Sequence, residues 1–310
     1  MFSFQIIQDI PVCKDAAYLE LIEGGFSHDV NVLVYTKHHE YFLVRVGDAS
    51  NLKVYTQEYE FLKRCETLND AFPKPIDFGV LEQHHRVYRV YTWMEGVGLV
   101  NVLPTLDNHA QYACGVEAGQ LLKAMHSINC DDTNEDWETL YNHKIDQKIQ
   151  AYHLCGLRYP DDASCLKTIE AYRPYLNKRP SVYQHGDYHG SNMIYNPHNR
   201  VSIIDFNRVG VGDPWEEFNR IIWSVKVSEP FACGQIHGYF NQEPPHEFFK
   251  LLKLYSYVNA IASLPWAIPL GQEQIDIMHD NYQIMRDWYR DDSEIPTWYQ
   301  THGSIKKKDD

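Results

Sequence analysis

The chain has 310 residues, 44% of them hydrophobic and 23% charged, the make-up of a globular protein long enough for two packed lobes. Its formal net charge of −14 argues against nucleic acid, whose phosphates require a basic stripe, and suits a cationic ligand or plain solubility. Seven scattered cysteines with no C-x-x-C pair read as reduced thiols, and no apolar run is long enough to span a bilayer. The expectation is a cytoplasmic monomer or homodimer with neither membrane nor nucleic acid as partner.

In chain order, LIEGGFSHD sets paired glycines, Gly24 and Gly25, at a tight turn. Val30–Thr36 and Tyr41–Val46 are β-branched and aromatic runs joined by a polar KHHE turn, which predicts a hairpin. Tyr55, Tyr59, Leu62, Cys65 and Leu68 recur at helical spacing. AFPKPIDFG then breaks the pattern with two prolines and a glycine, and Arg86–Trp93 is strand-like. The boundary falls at Glu95–Gly96, dividing the chain into 1–94 and 95–310. Beyond it, helices are predicted over Asn108–Ile128, about Ser164–Leu176, Glu247–Leu264 and Glu273–Tyr289. Short strands are predicted over Ser181–Gln184, Met193–Tyr195 and Val201–Ile204. Asp213–Pro214 supplies an N-cap and a first-turn proline ahead of WEEFNRIIWSV. The fold class is α+β: a small β-rich N-lobe with one helix, then a larger, mostly helical C-lobe with a small β insert.

Chemistry concentrates between Ser181 and Phe206, SVYQHGDYHGSNMIYNPHNRVSIIDF. Asp187 and Asn192 have the Asp-to-Asn spacing of a kinase catalytic loop, and Asp205 follows at the end of an apolar strand. Phosphoryl transfer needs a carboxylate to orient and deprotonate the attacking hydroxyl. It also needs hard oxygen ligands for Mg2+, which a carboxylate and an amide carbonyl supply. Two other readings exist: polar turn residues, or a zinc site from His185 and His189. Gly186 and Gly190 argue against zinc by placing both histidines in a loop.

HGDYHGSN, IIDF and VGDPWEEF, in that order, resemble the signature of the aminoglycoside phosphotransferase family, within the wider protein-kinase-like fold. The resemblance implies Asp187 as catalytic base, Asn192 and Asp205 as Mg2+ ligands, and His185 and Asp213 as supports of the catalytic loop, with His189 ordering it. It also implies that Gly24, Gly25 and Ser27, with Phe26 and His28, lie near the nucleotide phosphates, although a plain turn explains the same residues. Arg45 stands where a lysine usually contacts the α- and β-phosphates; it keeps a permanent charge and a forked donor pair. Its alternative is a solvent-facing strand arginine on the face of Leu43 and Tyr41. The partner acid is Glu58 or Glu60, and the family register, an acid ahead of Leu62, points to Glu58. Tyr91, Thr92, Trp93 and Met94 resemble the stretch joining the lobes and would line the purine pocket, with strand core as their other reading. Arg208, beside Asp205, is placed to meet phosphate.

The implied activity is Mg2+-dependent transfer of the γ-phosphate of ATP or GTP to a hydroxyl of a small molecule. An aminoglycoside acceptor would make it an antibiotic-resistance enzyme. The alternatives are a kinase of a metabolite such as choline or a sugar, or a nucleotide-binding pseudokinase, supported by Arg45 in place of lysine. Only NRV and GVGDPWEEF follow IIDF before the next helix is under way, too little for a long activation segment, which disfavours a protein acceptor. Segments after about Asn101, especially Asp131–Glu138, and the C-terminal helices are expected to shape the acceptor pocket.

Overall fold

The computed structural model describes residues 4–22, 29–130, 136–196, 198, 200–241 and 243–303. The chain opens with α1 (Phe4–Gln8), α2 (Pro11–Lys14), β1 (Ala16–Ile22), β2 (Val30–Thr36), β3 (Tyr41–Asp48), α3 (Leu52–Cys65), β4 (Pro75–Leu81) and β5 (Arg86–Thr92). Next come β6 (Val97–Gly98), α4 (Leu99–Val102), α5 (Asn108–His126), α6 (Trp137–Leu154) and α7 (Asp162–Tyr172). The remainder is β7 (Val182–Gln184), β8 (Met193–Asn196), β9 (Arg200–Ile203), β10 (Gly210–Gly212), α8 (Ile221–Val227), α9 (Glu229–Phe240), α10 (His246–Ala267), α11 (Gln272–Trp288) and α12 (Thr297–His302). Contacts divide it into two compact units, Met1–Val97 with Ile194–Val209, and Gly98–Met193 with Gly210–Asp310.

The first unit is built on an antiparallel sheet in the order β1-β2-β3-β5-β4. Alternation sends Val32, Val34, Val44, Val46, Tyr88 and Val90 to one face, where Ile7 of α1, Cys13 of α2 and Ile10 between them complete a core. The other face carries Arg45, Gly47, Arg89 and Tyr91 toward α3, whose inward residues include Tyr55, Glu58, Tyr59 and Leu62. Both faces are therefore covered, and β3 is buried from Val44 through Gly47. The proline-rich stretch lies beyond the end of α3 at Cys65, as its reading as a break in the helical pattern requires, and its second half forms β4. Pro75 opens the strand, and β4 is the sheet's edge, where a missing N–H donor costs little. The remote segment Ile194–Val209 joins this unit through Ile203 N–H, which donates to Ala71 C=O at 2.8 Å, and through Phe206, packed on Phe61 and Phe72.

In the second unit α5 and α9 approach backbone to backbone. A Cβ on Gly115, Gly119, Gly234 or Gly238 would come within 2.0–2.3 Å of a carbonyl oxygen on the facing helix. Only glycine at these i, i+4 pairs permits that spacing. α9 is buried from Pro230 through Tyr239, and α10 lines the same core with Phe248, Leu251, Leu252, Tyr255 and Val258. β7 and β10 pair antiparallel, Gly212 opposite Val182, and Trp137 fills the space that a side chain at 212 would need. After Pro214 the chain does not enter one α-helix as its cap predicts. Glu216–Arg220 winds as a 3-10 turn before α8, because the Asp213 carboxylate is held by Arg179 and Tyr255 while Glu217 turns inward. Among the described residues no helix is long and apolar enough to cross a membrane. All seven cysteines are free, five of them buried.

Candidate active site

The first unit supplies a buried charge network. Arg45, 5% exposed, points under the sheet rather than to solvent because β3 is covered on both faces. Its Nη1 lies 3.6 Å from Glu58 Oε1 and 3.1 Å from Asp205 Oδ1, and its Nη2 lies 3.6 Å from Asp29 Oδ2. Burial opposes its charge, but Glu58, Asp205 and Asp29 outweigh that and hold the guanidinium firmly protonated. Glu58 is the inward acid of α3. Glu60 is exposed and pairs with Lys63 at 2.8 Å, so the two candidates separate by face. Asp205 follows β9 with φ 65°, a left-handed conformation that costs a non-glycine residue about 1–2 kcal/mol. The network around it holds that turn, with Phe206 anchored behind and the carboxylate on Arg45 in front.

The second unit supplies the loop after β7. Glu217 is 3% exposed and accepts from the backbone N–H of both His185 and Gly186, each at 2.7 Å. Gly186, at φ 79°, turns the chain between that clamp and Asp187. The Asp187 N–H donates to His185 Nδ1 at 3.2 Å, and its C=O accepts from Asn192 Nδ2 at 2.9 Å. Its carboxylate Oδ1 meets Arg220 Nε at 3.0 Å and His189 Nε2 at 3.2 Å. His189 Nδ1 accepts from Ser191 N–H, which places the imidazole proton on Nε2, facing Asp187. Tyr188 fastens the loop to α5 by donating to Ala118 C=O at 2.6 Å. Asp213 supports the loop from behind. Its C=O accepts from Gln184 Nε2 at 2.8 Å, and Arg179 grips its carboxylate through two bonds of 2.7 and 3.0 Å.

The remaining predicted residues fall as follows. Tyr91 is 2% exposed, and burial, then the Glu58 charge, keeps its phenol protonated well above the ordinary range. Its side chain thus belongs to the α3-facing layer. Thr92 Oγ1 accepts from Lys74 N–H, Trp93 N–H donates to Tyr41 C=O, and Trp93 and Met94 are half-buried. Arg208 is exposed. Gly24, Gly25 and Ser27, with Phe26 and His28, lie outside the described residues, as does 131–135 of the acidic stretch. Sequence reasoning passed over Asp29, Arg89, Glu217 and Arg220. A lone charged residue inside an apolar strand run, as at Arg89, was the available signal.

Among the described residues no trio of His, Cys, Asp or Glu is arranged to hold a metal. Asn192 and Asp205 each carry a hard oxygen donor of the type Mg2+ takes. Asn192 spends its N–H on Asp187 C=O, which leaves Oδ1 as its acceptor atom, and the Asp205 side chain is 37% exposed.

Residues 19–249 match the family described as phosphotransferase enzyme family. No curated protein matches the sequence. Among solved structures, the GDP complex of wild-type aminoglycoside 2'-phosphotransferase-IIIa aligns over 91% of this chain and 96% of its own, with TM-score 0.69 and 15% identity. The amicoumacin kinase hAmiN in complex with AMP-PNP, Ca2+ and Ami aligns over 97% of each chain, with TM-score 0.67 and 10% identity. The gentamicin complex of APH(2")-IIa aligns over 91% and 96%, with TM-score 0.66 and 17% identity. These likenesses establish the fold as the expected α+β kinase-like one, β-rich first and mostly helical after. With the family match covering most of its length, the chain belongs to the phosphotransferase enzyme family.

Proposed function

We propose that the protein transfers the γ-phosphate of ATP or GTP to a hydroxyl of a small molecule, in the cytoplasm and with Mg2+. The observation that carries this reading is the treatment of Asp187. Its N–H, its C=O and its carboxylate each have a fixed partner, in His185, Asn192 and the Arg220–His189 pair. A carboxylate so held suits the task of orienting an acceptor hydroxyl and taking its proton as the oxygen bonds to phosphorus and the nucleoside diphosphate leaves. Arg45, fixed by buried carboxylates, is the cation for the nucleotide phosphates. Asn192 and Asp205 are the metal ligands, and Mg2+ held there would neutralise charge on the phosphates. Free thiols throughout support a reducing compartment.

Aminoglycosides are the first acceptors to try, since the structural neighbours include enzymes that carry them. Choline, sugars and macrolides belong in the same screen for acceptor-dependent consumption of ATP or GTP with Mg2+. One acceptor that raises nucleotide consumption well above the water rate, with phosphate recovered on it, supports the reading. Nucleotide binding with no turnover for any of them would favour the pseudokinase.

A further inference from the structure

Arg89 has no place in the chemistry above, yet it is the most deeply buried charge of the first unit, at 0% exposure. It stands directly opposite Arg45 in the β3–β5 ladder. Two guanidiniums side by side under a sheet repel unless each is neutralised, and here they share the same two acids. Arg89 Nη2 lies 2.5 Å from Asp29 Oδ2 and its Nε 3.6 Å from Glu58 Oε2. Arg45 lies 3.6 Å from each of the same carboxylates. The four side chains close a ring in which every arginine meets both acids. Its plane is fixed from α3, where the Tyr55 ring stacks 3.7 Å from Arg89 Cζ while its hydroxyl donates to Asp29 at 2.7 Å. Gly47 makes room, since a Cβ there would meet Tyr55 Oη at 2.1 Å.

We propose that Arg89 is the positioning residue for Arg45, shaping the phosphate site by taking its share of Asp29 and Glu58. Asp29 and Glu58 are both buried and must be neutralised. If Arg45 faced them alone, its donors would be drawn wholly into that pair. With Arg89 holding Asp29 Oδ2 and Glu58 Oε2, the Nη1 of Arg45 stays on the Asp205 side, at 3.1 Å. Arg89 itself is sealed from solvent and touches no substrate. The ring is also what suits this strand to arginine, whose fork reaches several acids at once where lysine is a single point charge.

The inference rests on the reading of Arg45 as the nucleotide cation, and its test is binding of Mg2+ with AMP-PNP or GMP-PNP to the full chain by calorimetry. Arg89→Met should weaken that binding tenfold or more. Adding Asp29→Asn to it should recover binding to within about threefold, because the acid left unneutralised is removed with its partner. A merely structural role predicts the opposite order, the double variant being no better than the single. Arg89→Lys, which keeps the charge but not the fork, should fall between wild type and Arg89→Met. It carries the test with the double variant if Arg89→Met melts early. Unchanged binding in Arg89→Met, or no recovery in the double variant, overturns the proposal. If the wild type binds neither analogue, the proposal and the phosphotransfer reading fall together. If it binds them but turns over no acceptor, only the latter falls.

Discussion

Replacing Glu217 by Gln is a small change in shape with a large expected effect. The carboxylate accepts from two backbone N–H groups, His185 and Gly186, each at 2.7 Å, in a site 3% exposed. Hydrogen bonds to a charged group contribute about 1.5–3 kcal/mol each. An amide can serve only one of the two donors and turns its own NH2 toward the other, leaving a buried N–H unpaired. The loss is therefore about 3 kcal/mol, or roughly 6–12 °C in melting temperature for a unit of this size. Because the two clamped residues immediately precede Asp187, kcat should fall along with stability. Nucleotide affinity should hold, since Arg45, Glu58 and Asp29 are untouched. Scanning calorimetry and nucleotide binding on the same samples check both parts. A variant that melts within about 1 °C of wild type would refute the view that Glu217 holds the loop carrying Asp187.

Gly119→Ala should destabilise by about 3 kcal/mol, since its Cβ would lie 2.2 Å from Gln235 C=O and 2.5 Å from Tyr239 N, backbone atoms that yield only if α5 and α9 separate. Urea unfolding measures this, and an unchanged midpoint would mean that the glycine contact is dispensable. Asp29 gives a pH signature. Burial raises its pKa, but the Arg89 charge, the Tyr55 and Arg89 hydrogen bonds and Arg45 outweigh it, holding the carboxyl below its ordinary value of 3.8. A depressed acid stabilises fully above its unfolded pKa, and that contribution is lost as pH falls through the folded value. Asp29→Asn should therefore be less stable than wild type near neutral pH, with the difference shrinking below about pH 4. Unfolding at about pH 3 and about pH 7 checks it, and a difference independent of pH would be the contrary result.

Legibility in the sequence followed range. The β2–β3 hairpin, α3 and α5 were readable because each is set by local period and turn residues. So was the spacing of Asp187, Asn192 and Asp205. Periodicity alone did not separate Glu58 from Glu60; the family register pointed to Glu58, and the facing is set by the sheet above α3. Helix α9 gave no amphipathic stripe because it is buried all round. The prolines of AFPKPIDFG marked the end of the helical pattern, but that Pro75 opens an edge strand is a tertiary fact. The Arg45–Arg89 ring was invisible for the same reason: Asp29, Arg45, Glu58 and Arg89 come from four separate segments and meet only through strand register and helix packing. Glu217 resembled an ordinary first-turn acid, and nothing local shows that it reaches back to His185.

The central claim is that Asp187 takes the acceptor proton. Asp187→Asn preserves shape and removes the base, so acceptor-dependent nucleotide consumption should fall by about 10²–10⁴-fold. Binding of Mg2+ with AMP-PNP or GMP-PNP should stay within about twofold of wild type. Turnover within a few-fold of wild type, at intact nucleotide affinity, would contradict the account.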